Sequence, residues 1–188
     1  MHGLGVMSDG TRCDDPGYYR ASSERLAREQ RKLSHCEKGS HHYEKHRKRV
    51  AARHQKVKNQ RKDFQNKLSH QLAAQYDVIA VEDLDRKAMS QCLNFGKSVM
   101  DNAFGQFVSM LEYKLAANGG RLVRIDRFYP SSKKCSCCGN VKEELKLSER
   151  IYRCSCGCEM DCDGNAAVNI REEGRRQAVS MMPVSRQI

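Results

Sequence analysis

Residues 128–170 read FYPSSKKCSCCGNVKEELKLSERIYRCSCGCEMDCDGNAAVNI, and their cysteines constrain this chain more than any other feature. Cys135 and Cys138 form a C-x-x-C-G knuckle, and sixteen residues after Cys138 a second cluster offers Cys154, Cys156 and Cys158. Thiolates paired this way across a short β-hairpin suit tetrahedral Zn²⁺, which closes the loop and substitutes for a core that so few residues cannot build. Cys135, Cys138 and Cys154 are expected ligands. The fourth is Cys156 or Cys158, with Cys156 favoured because Gly157 follows it as Gly139 follows Cys138. Cys137 and Cys162 are expected to be spectators. Ten cysteines in 188 residues would also suit a secreted disulfide framework. The first residues do not read as a secretory leader and the chain is rich in Lys and Arg, so thiols and metal are the expectation.

Charge is the second constraint, through its distribution more than its size. The formal net charge is +11, and residues 20–67 alone hold 16 Lys or Arg against 5 Asp or Glu. That segment therefore carries the whole excess, with His35, His41, His42, His46 and His54 interleaved. A localised positive element favours a polyanionic partner such as DNA or RNA. Arg47, Lys48, Arg49, Arg53, Lys56 and Lys62 are the candidate phosphate contacts. No window approaches the ~20 apolar residues of a membrane span, so no membrane partner is expected. The length suits one compact domain with a small appendage.

Along the chain, Gly3–Met7 reads as a strand, and Ser8-Asp9-Gly10 as a tight turn into a second strand near Thr11–Asp14, which makes Asp9 a turn residue. Ser22 or Ser23 can cap a helix from Glu24, and Gly39-Ser40 marks a bend. A long helix then runs from Tyr43 to about Tyr76, with Val50, Val57, Phe64, Leu68 and Leu72 on one stripe, giving a basic helical hairpin with a narrow apolar seam. Val78–Val81 is a continuous apolar run, expected to lie covered on both faces in the middle of an α/β sheet and to end in Glu82-Asp83. Acidic groups at such a strand end stand where open α/β sheets build their sites. Residues 85–97 read as a polar loop. Met100, Phe104, Val108, Leu111 and Leu115 mark an amphipathic helix closed by Asn118-Gly119-Gly120, and Leu122–Ile125 another strand. A last helix is expected from Gly164 to Glu173, with a disordered tail over 174–188.

The segment Phe128–Ile170, taken with VIAVEDL at 78–84, resembles the C-terminal half of the TnpB (transposase OrfB) family, related to type V CRISPR effectors. The order of pieces fits from about Gly3 to about Ile170: basic helical hairpin, strand ending in Glu, helix, strand leading to PSSK-x-C, ribbon, then D-x-N-A-A. Members are transposon-encoded, RNA-guided DNA nucleases with a RuvC-like domain. The resemblance thus implies an α/β, RNase H-like fold with an inserted basic hairpin at about 20–76 and a zinc ribbon. It divides the chain into a core over 1–127, the ribbon at 128–160 and a final helix at 161–173. It also implies DNA and guide RNA as partners and a prokaryotic, cytoplasmic setting.

In an RNase H-like site, carboxylates from separate elements hold divalent metals that activate water and stabilise the leaving oxygen. Mg²⁺ is the expected metal because it is a hard cation that prefers oxygen ligands. Glu82 at a strand end and Asp163 on the last helix are the expected catalytic carboxylates. Asp161 either assists or starts the helix, and Asp126 is a further acidic group near a strand end. The family carries another Asp on the first strand, in a G-x-D-x-G-like stretch whose place falls upstream of Met1. Catalysis by these 188 residues alone is accordingly expected to be incomplete. A nucleic-acid-binding protein that does not cut, and a zinc-stabilised interaction module, are the alternative readings.

Overall fold

The computed structural model describes residues 3–14, 16–83, 104–146 and 148–180. Strands β1 (Gly3–Val6) and β2 (Arg12–Asp14) pair antiparallel. The Asp9 carboxylate accepts the Thr11 N–H at 2.8 Å and Gly10 takes φ 88°, so Asp9 belongs to the turn, as its Asp-Gly context predicts.

Helix α1 (Tyr18–Ser34) begins six residues before Glu24, the start expected from a serine cap. Gly17, at φ 63°, delivers the chain into the helix instead, and the Ser23 hydroxyl bonds back to the Arg20 carbonyl at 2.7 Å. A serine can satisfy itself inside a helix in this way, which is why it made a false start signal. Ser40 does cap α2 (His41–Gln75), its Oγ accepting the Tyr43 N–H at 3.1 Å after Gly39 at φ 87°.

At 35 residues, α2 is about 52 Å long and serves two neighbours. Its first half lies on α1, where His46 Nδ1 stands 3.2 Å from Glu29 Oε2. Its second half lies on α3 (Phe104–Ala117): Lys114 Nζ donates to the Asn66 carbonyl at 2.6 Å and Ser69 Oγ at 2.9 Å, and Asn118 Nδ2 to the Ala73 carbonyl at 2.9 Å. The expected stripe is therefore divided. Leu68 and Leu72 join Leu4, Phe107 and Leu111 in the α/β core, so they belong to no seam of the helical hairpin.

Strands β3 (Val78–Glu82) and β4 (Arg121–Ile125) run parallel, in register from Val78↔Arg121 to Glu82↔Ile125. On one face Ile79 and Leu122 meet Leu4, Phe107 and Leu111. On the other, Ala80, Val123 and Ile125 lie under Ile170 and Ala178 of α4 (Cys162–Ser180). The apolar run of β3 is thus packed on one face at Ile79 and on the other at Ala80, whereas Val78 is exposed. The position of β3 differs: among the described residues β4 is its one sheet neighbour, so the expected middle place in a wider sheet is not seen.

The expected disordered tail from Gly174 is also corrected, because α4 continues through Ser180. A Cβ at Gly174 would overlap the Cβ of Ala80, so the glycine lets the helix lie directly on the sheet. Ala178, one turn later, is buried in the same cluster. That burial offsets the ~1 kcal/mol a glycine costs inside a helix. Residues 181–188, the expected polar loop at 85–97 and Met100 lie outside the described residues.

Candidate metal centre and acidic site

Strands β5 (Ile151–Arg153) and β6 (Glu159–Asp161) form a short antiparallel hairpin, and Lys134 bridges to Val141 opposite it. Tyr152 is fully buried behind them, its hydroxyl donating to the Lys133 carbonyl at 2.9 Å. Two knuckles face each other across this frame. In the first, the N–H of Gly139 (φ 80°) donates to the Cys135 carbonyl at 2.9 Å; in the second, that of Gly157 (φ 89°) donates to the Cys154 carbonyl at 3.0 Å. Each left-handed glycine turns the chain so that the cysteine before it points inward.

The sulfurs of Cys135, Cys138, Cys154 and Cys156 all lie within 4.8 Å of one another. Cys135 and Cys156 are 3.7 Å apart, and Cys138 and Cys154 3.6 Å. A tetrahedron with metal–sulfur bonds of about 2.3 Å has edges of about 3.8 Å, so the set could hold a metal such as zinc. Cys158 forms an overlapping group with Cys135 and Cys137, but its sulfur stands only 2.9 Å from that of Cys137, well inside a tetrahedral edge. Of the two candidates for fourth ligand, Cys156 has the fitting geometry.

The electrostatics also call for a cation. Burial opposes charge on Cys135, yet the N–H groups of Cys138 and Cys137 and the neighbouring sulfurs outweigh it and hold the thiol at about 6. The Cys158 N–H favours charge on Cys156, but the Cys138 and Cys154 sulfurs beside it push that thiol up to about 12. Four thiolates this close cannot all ionise without a positive charge among them.

The acidic residues are arranged around α4. Asp161, the last residue of β6, caps that helix: its Oδ1 accepts the N–H groups of Asp163 and Gly164, both at 3.1 Å, and its Oδ2 meets Arg12 at 3.1 Å. Of its two expected roles, starting the helix is the one observed. Asp126 Oδ1 accepts the Phe128 N–H at 2.7 Å and so shapes the turn after β4. Asp163 is half-buried in the first turn of α4, on the helix face it shares with Ile170 and Gly174.

Glu82 is half-buried at the end of β3, where burial pushes its carboxyl above the usual range and the Ser131 hydroxyl draws it back. Asn169 of α4 donates to the Ser131 carbonyl at 2.8 Å, while Gly174 faces Ala80, two residues before Glu82. The helix thus runs back along β3 from Ala80, with Asn169 level with the Ser131 loop that touches Glu82. Glu82 and Asp163 belong to no group of three or more donors within 4.8 Å among the described residues.

Two positioning residues were missed by sequence reasoning. Asn165 accepts the Ser136 N–H at 2.9 Å and donates to the Lys134 carbonyl at 2.7 Å; Asn169 donates to the carbonyls of Ser131 and Lys134, at 2.8 and 2.7 Å. Both are buried. Polar amides four apart on a helix of small apolar residues were the available signal, once one asks where the Pro-Ser-Ser loop sends its carbonyls. The basic candidates lie elsewhere, along α2: Arg47, Lys48, Arg49, Lys56 and Lys62 are exposed and Arg53 half-buried, with Arg47 2.9 Å from Glu44.

Comparison with known proteins places this arrangement. Residues 1–93 match the OrfB_IS605 family, described as a probable transposase, and residues 104–170 match the Cas12f1-like TNB domain. A Streptomyces pristinaespiralis protein, named as a proposed RNA-guided DNA endonuclease, is 39% identical over 171 residues, which cover 91% of this chain and 42% of the relative. The chain belongs to the TnpB (OrfB) family. Another relative, Escherichia coli InsQ, also named as a proposed RNA-guided DNA endonuclease, is 27% identical across 91% of the chain and 46% of its own length. The chain thus spans less than half of these TnpB-type relatives. A cryo-EM structure of a Cas12f1–sgRNA–target DNA complex superposes with a TM-score of 0.60 at 17% identity, covering 85% of this chain and 43% of that one, and shows the shared α/β fold. Among the described residues no helix is long and apolar enough to cross a membrane.

Proposed function

We propose that these residues supply the RuvC-like core and zinc ribbon of a transposon-encoded, RNA-guided DNA endonuclease. One observation carries the reading: α4 starts at the last strand of the ribbon, holds Asp163 in its first turn, and lies on the strand that ends in Glu82. The β1–β2 hairpin, β3–α3–β4 and α4 then make up an RNase H-like core, with residues 128–160 as the ribbon and the basic hairpin inserted at about 20–76.

Cys135, Cys138, Cys154 and Cys156 would hold structural Zn²⁺, which when bound locks the two knuckles into one unit. Glu82 and Asp163 would hold Mg²⁺, which when bound supplies an activated water and stabilises the leaving oxygen of a phosphodiester. Ser131 keeps the Glu82 carboxylate aimed along the strand end, and Asp161 fixes the first turn of α4 beneath Asp163. The exposed charge of Arg47, Lys48, Arg49, Lys56 and Lys62, with Arg53, gathers the phosphate backbone of DNA or guide RNA. A binding protein that does not cut is the second reading, favoured because among the described residues Glu82 and Asp163 belong to no cluster of three donors.

Mn²⁺ serves as the probe, titrated into zinc-loaded protein and followed by its electron paramagnetic resonance. Glu82→Gln and Asp163→Asn should each weaken Mn²⁺ binding at least about tenfold while zinc stays at one per chain. Mn²⁺ binding indifferent to both substitutions would remove the acidic site. In the full-length, guide-loaded protein the same substitutions should abolish Mg²⁺-dependent cutting and leave DNA binding nearly intact. Binding by the unsubstituted full-length protein without any cutting would favour the second reading.

A further inference from the structure

Within residues 128–160 the four-sulfur set leaves two cysteines over, and they touch. Cys137 Sγ lies 2.9 Å from Cys158 Sγ, against 3.6 and 3.7 Å for the sulfur contacts inside the tetrahedral set. Cys137 is exposed and Cys158 half-buried, so a small oxidant can reach the pair from solvent. One sits on each knuckle: Cys137 in the turn closed by the Gly139 N–H, Cys158 after Gly157, with its carbonyl accepting the Cys154 N–H at 2.9 Å.

We infer that Cys137 and Cys158 form a redox-active pair whose disulfide fastens the two knuckles together independently of the metal. The inference rests on assigning the metal to Cys135, Cys138, Cys154 and Cys156. A disulfide bond of about 2.05 Å requires the two sulfurs to approach by less than about 1 Å. The thiolates of the metal set are engaged when loaded, so within the ribbon the free pair is the one that an oxidant meets.

The oxidant is a low-molecular-weight disulfide. The Cys137 sulfur attacks one of its sulfurs, the oxidant's S–S bond breaks and one thiol leaves. The Cys158 sulfur then attacks Cys137 and displaces the second thiol. The protein gains one S–S bond, and its two thiol protons end on the two released thiols. The oxidant is reduced by two electrons and the protein oxidised by two. The new bond closes the same loop that the metal closes, so an oxidised ribbon keeps its form after metal loss.

The test uses the zinc-loaded 188-residue protein and oxidised glutathione, with alkylation, peptide mapping and zinc analysis. The expected result is a mass lower by two hydrogens, a Cys137–Cys158 linked peptide, and one zinc retained per chain. After chelation, amide exchange over residues 133–161 should stay slow in the oxidised protein and become fast in the reduced one. Cys158→Ser should stop at a mixed disulfide on Cys137 with zinc still bound. Links through Cys135, Cys138, Cys154 or Cys156, or zinc released in step with oxidation, would overturn the pair. Zinc lost from Cys158→Ser before any oxidant is added would overturn the metal assignment, and the pair with it.

Discussion

Where the ribbon meets α4, two buried asparagines make four hydrogen bonds to the backbone of residues 131–136, and each amide has one place it can be. Along α1 and α2 the polar contacts are of another kind. Arg47 pairs with Glu44 and Lys67 with Asp63 on the open helix surface, three and four residues apart. Such surface pairs contribute ~0–1 kcal/mol each and can be exchanged with solvent. The first region therefore depends on individual atoms, whereas the second depends on charge density, to which no one residue is essential. Substitution should act locally and strongly in the one, diffusely and weakly in the other.

Removing the metal tests the stronger side first. Structural zinc is worth roughly 10–16 kcal/mol in zinc-finger peptides at neutral pH, so Cys138→Ala should unfold the ribbon outright. Hydrogen exchange should then quicken over residues 133–161 and also through 162–169, because the asparagines lose the loop they hold. Residues 41–60 should be unchanged. Slow exchange persisting in the first turns of α4 would mean that the ribbon and the helix are independent. Next in size is Asn169→Ala, which leaves the Ser131 and Lys134 carbonyls short of a buried donor. A loss of about 1–3 kcal/mol in urea unfolding is expected.

Glu82→Gln should act in the opposite direction. Burial raises the folded-state carboxyl above its unfolded value, so wild-type stability is full below the unfolded value and declines as pH rises through the folded one. The variant escapes that decline. Its advantage in thermal midpoint, measured without divalent metal, should grow from about pH 4 toward neutrality; no growth would remove the burial argument. The smallest stability change belongs to the hairpin. Replacing Arg47, Lys48, Arg49 and Arg53 with Gln should move stability by no more than about 0.5 kcal/mol. The log–log salt dependence of DNA binding should nevertheless flatten, by about 0.9 for each phosphate no longer neutralised. An unchanged slope would move the nucleic-acid surface elsewhere.

The same contrast explains what was legible in the sequence. Cysteine spacing and the glycine after each knuckle are local chemistry, and they identified the four converging sulfurs. The Asp9 turn and the Ser40 bend were local in the same sense. The packing of Leu68 and Leu72 was not, because helical spacing shows that a face is buried without naming what covers it. Gly174 reads as the start of a disordered tail because the residues from it onward show no hydrophobic periodicity. Its value came from Ala80, ninety-four positions earlier, and no window along the chain contains both. Asn165 and Asn169 were hidden for the same reason: their partners are backbone groups, which every residue has and no sequence pattern marks.

The contact between Gly174 and Ala80 has a geometric consequence for Asp163. A helix lying on a flat sheet is free to roll about its own axis unless something indexes it. Here the Ala80 methyl occupies the notch left by the missing Cβ, and only one angle of α4 presents that notch. Eleven residues of helix bring the chain back to within about 20° of the same bearing, about 16 Å further along. A rotation that took Gly174 off Ala80 would swing Asp163 through the same arc. A pair of the smallest side chains in the protein thus works as a rotational key, fixing the bearing of a carboxylate that neither of them touches.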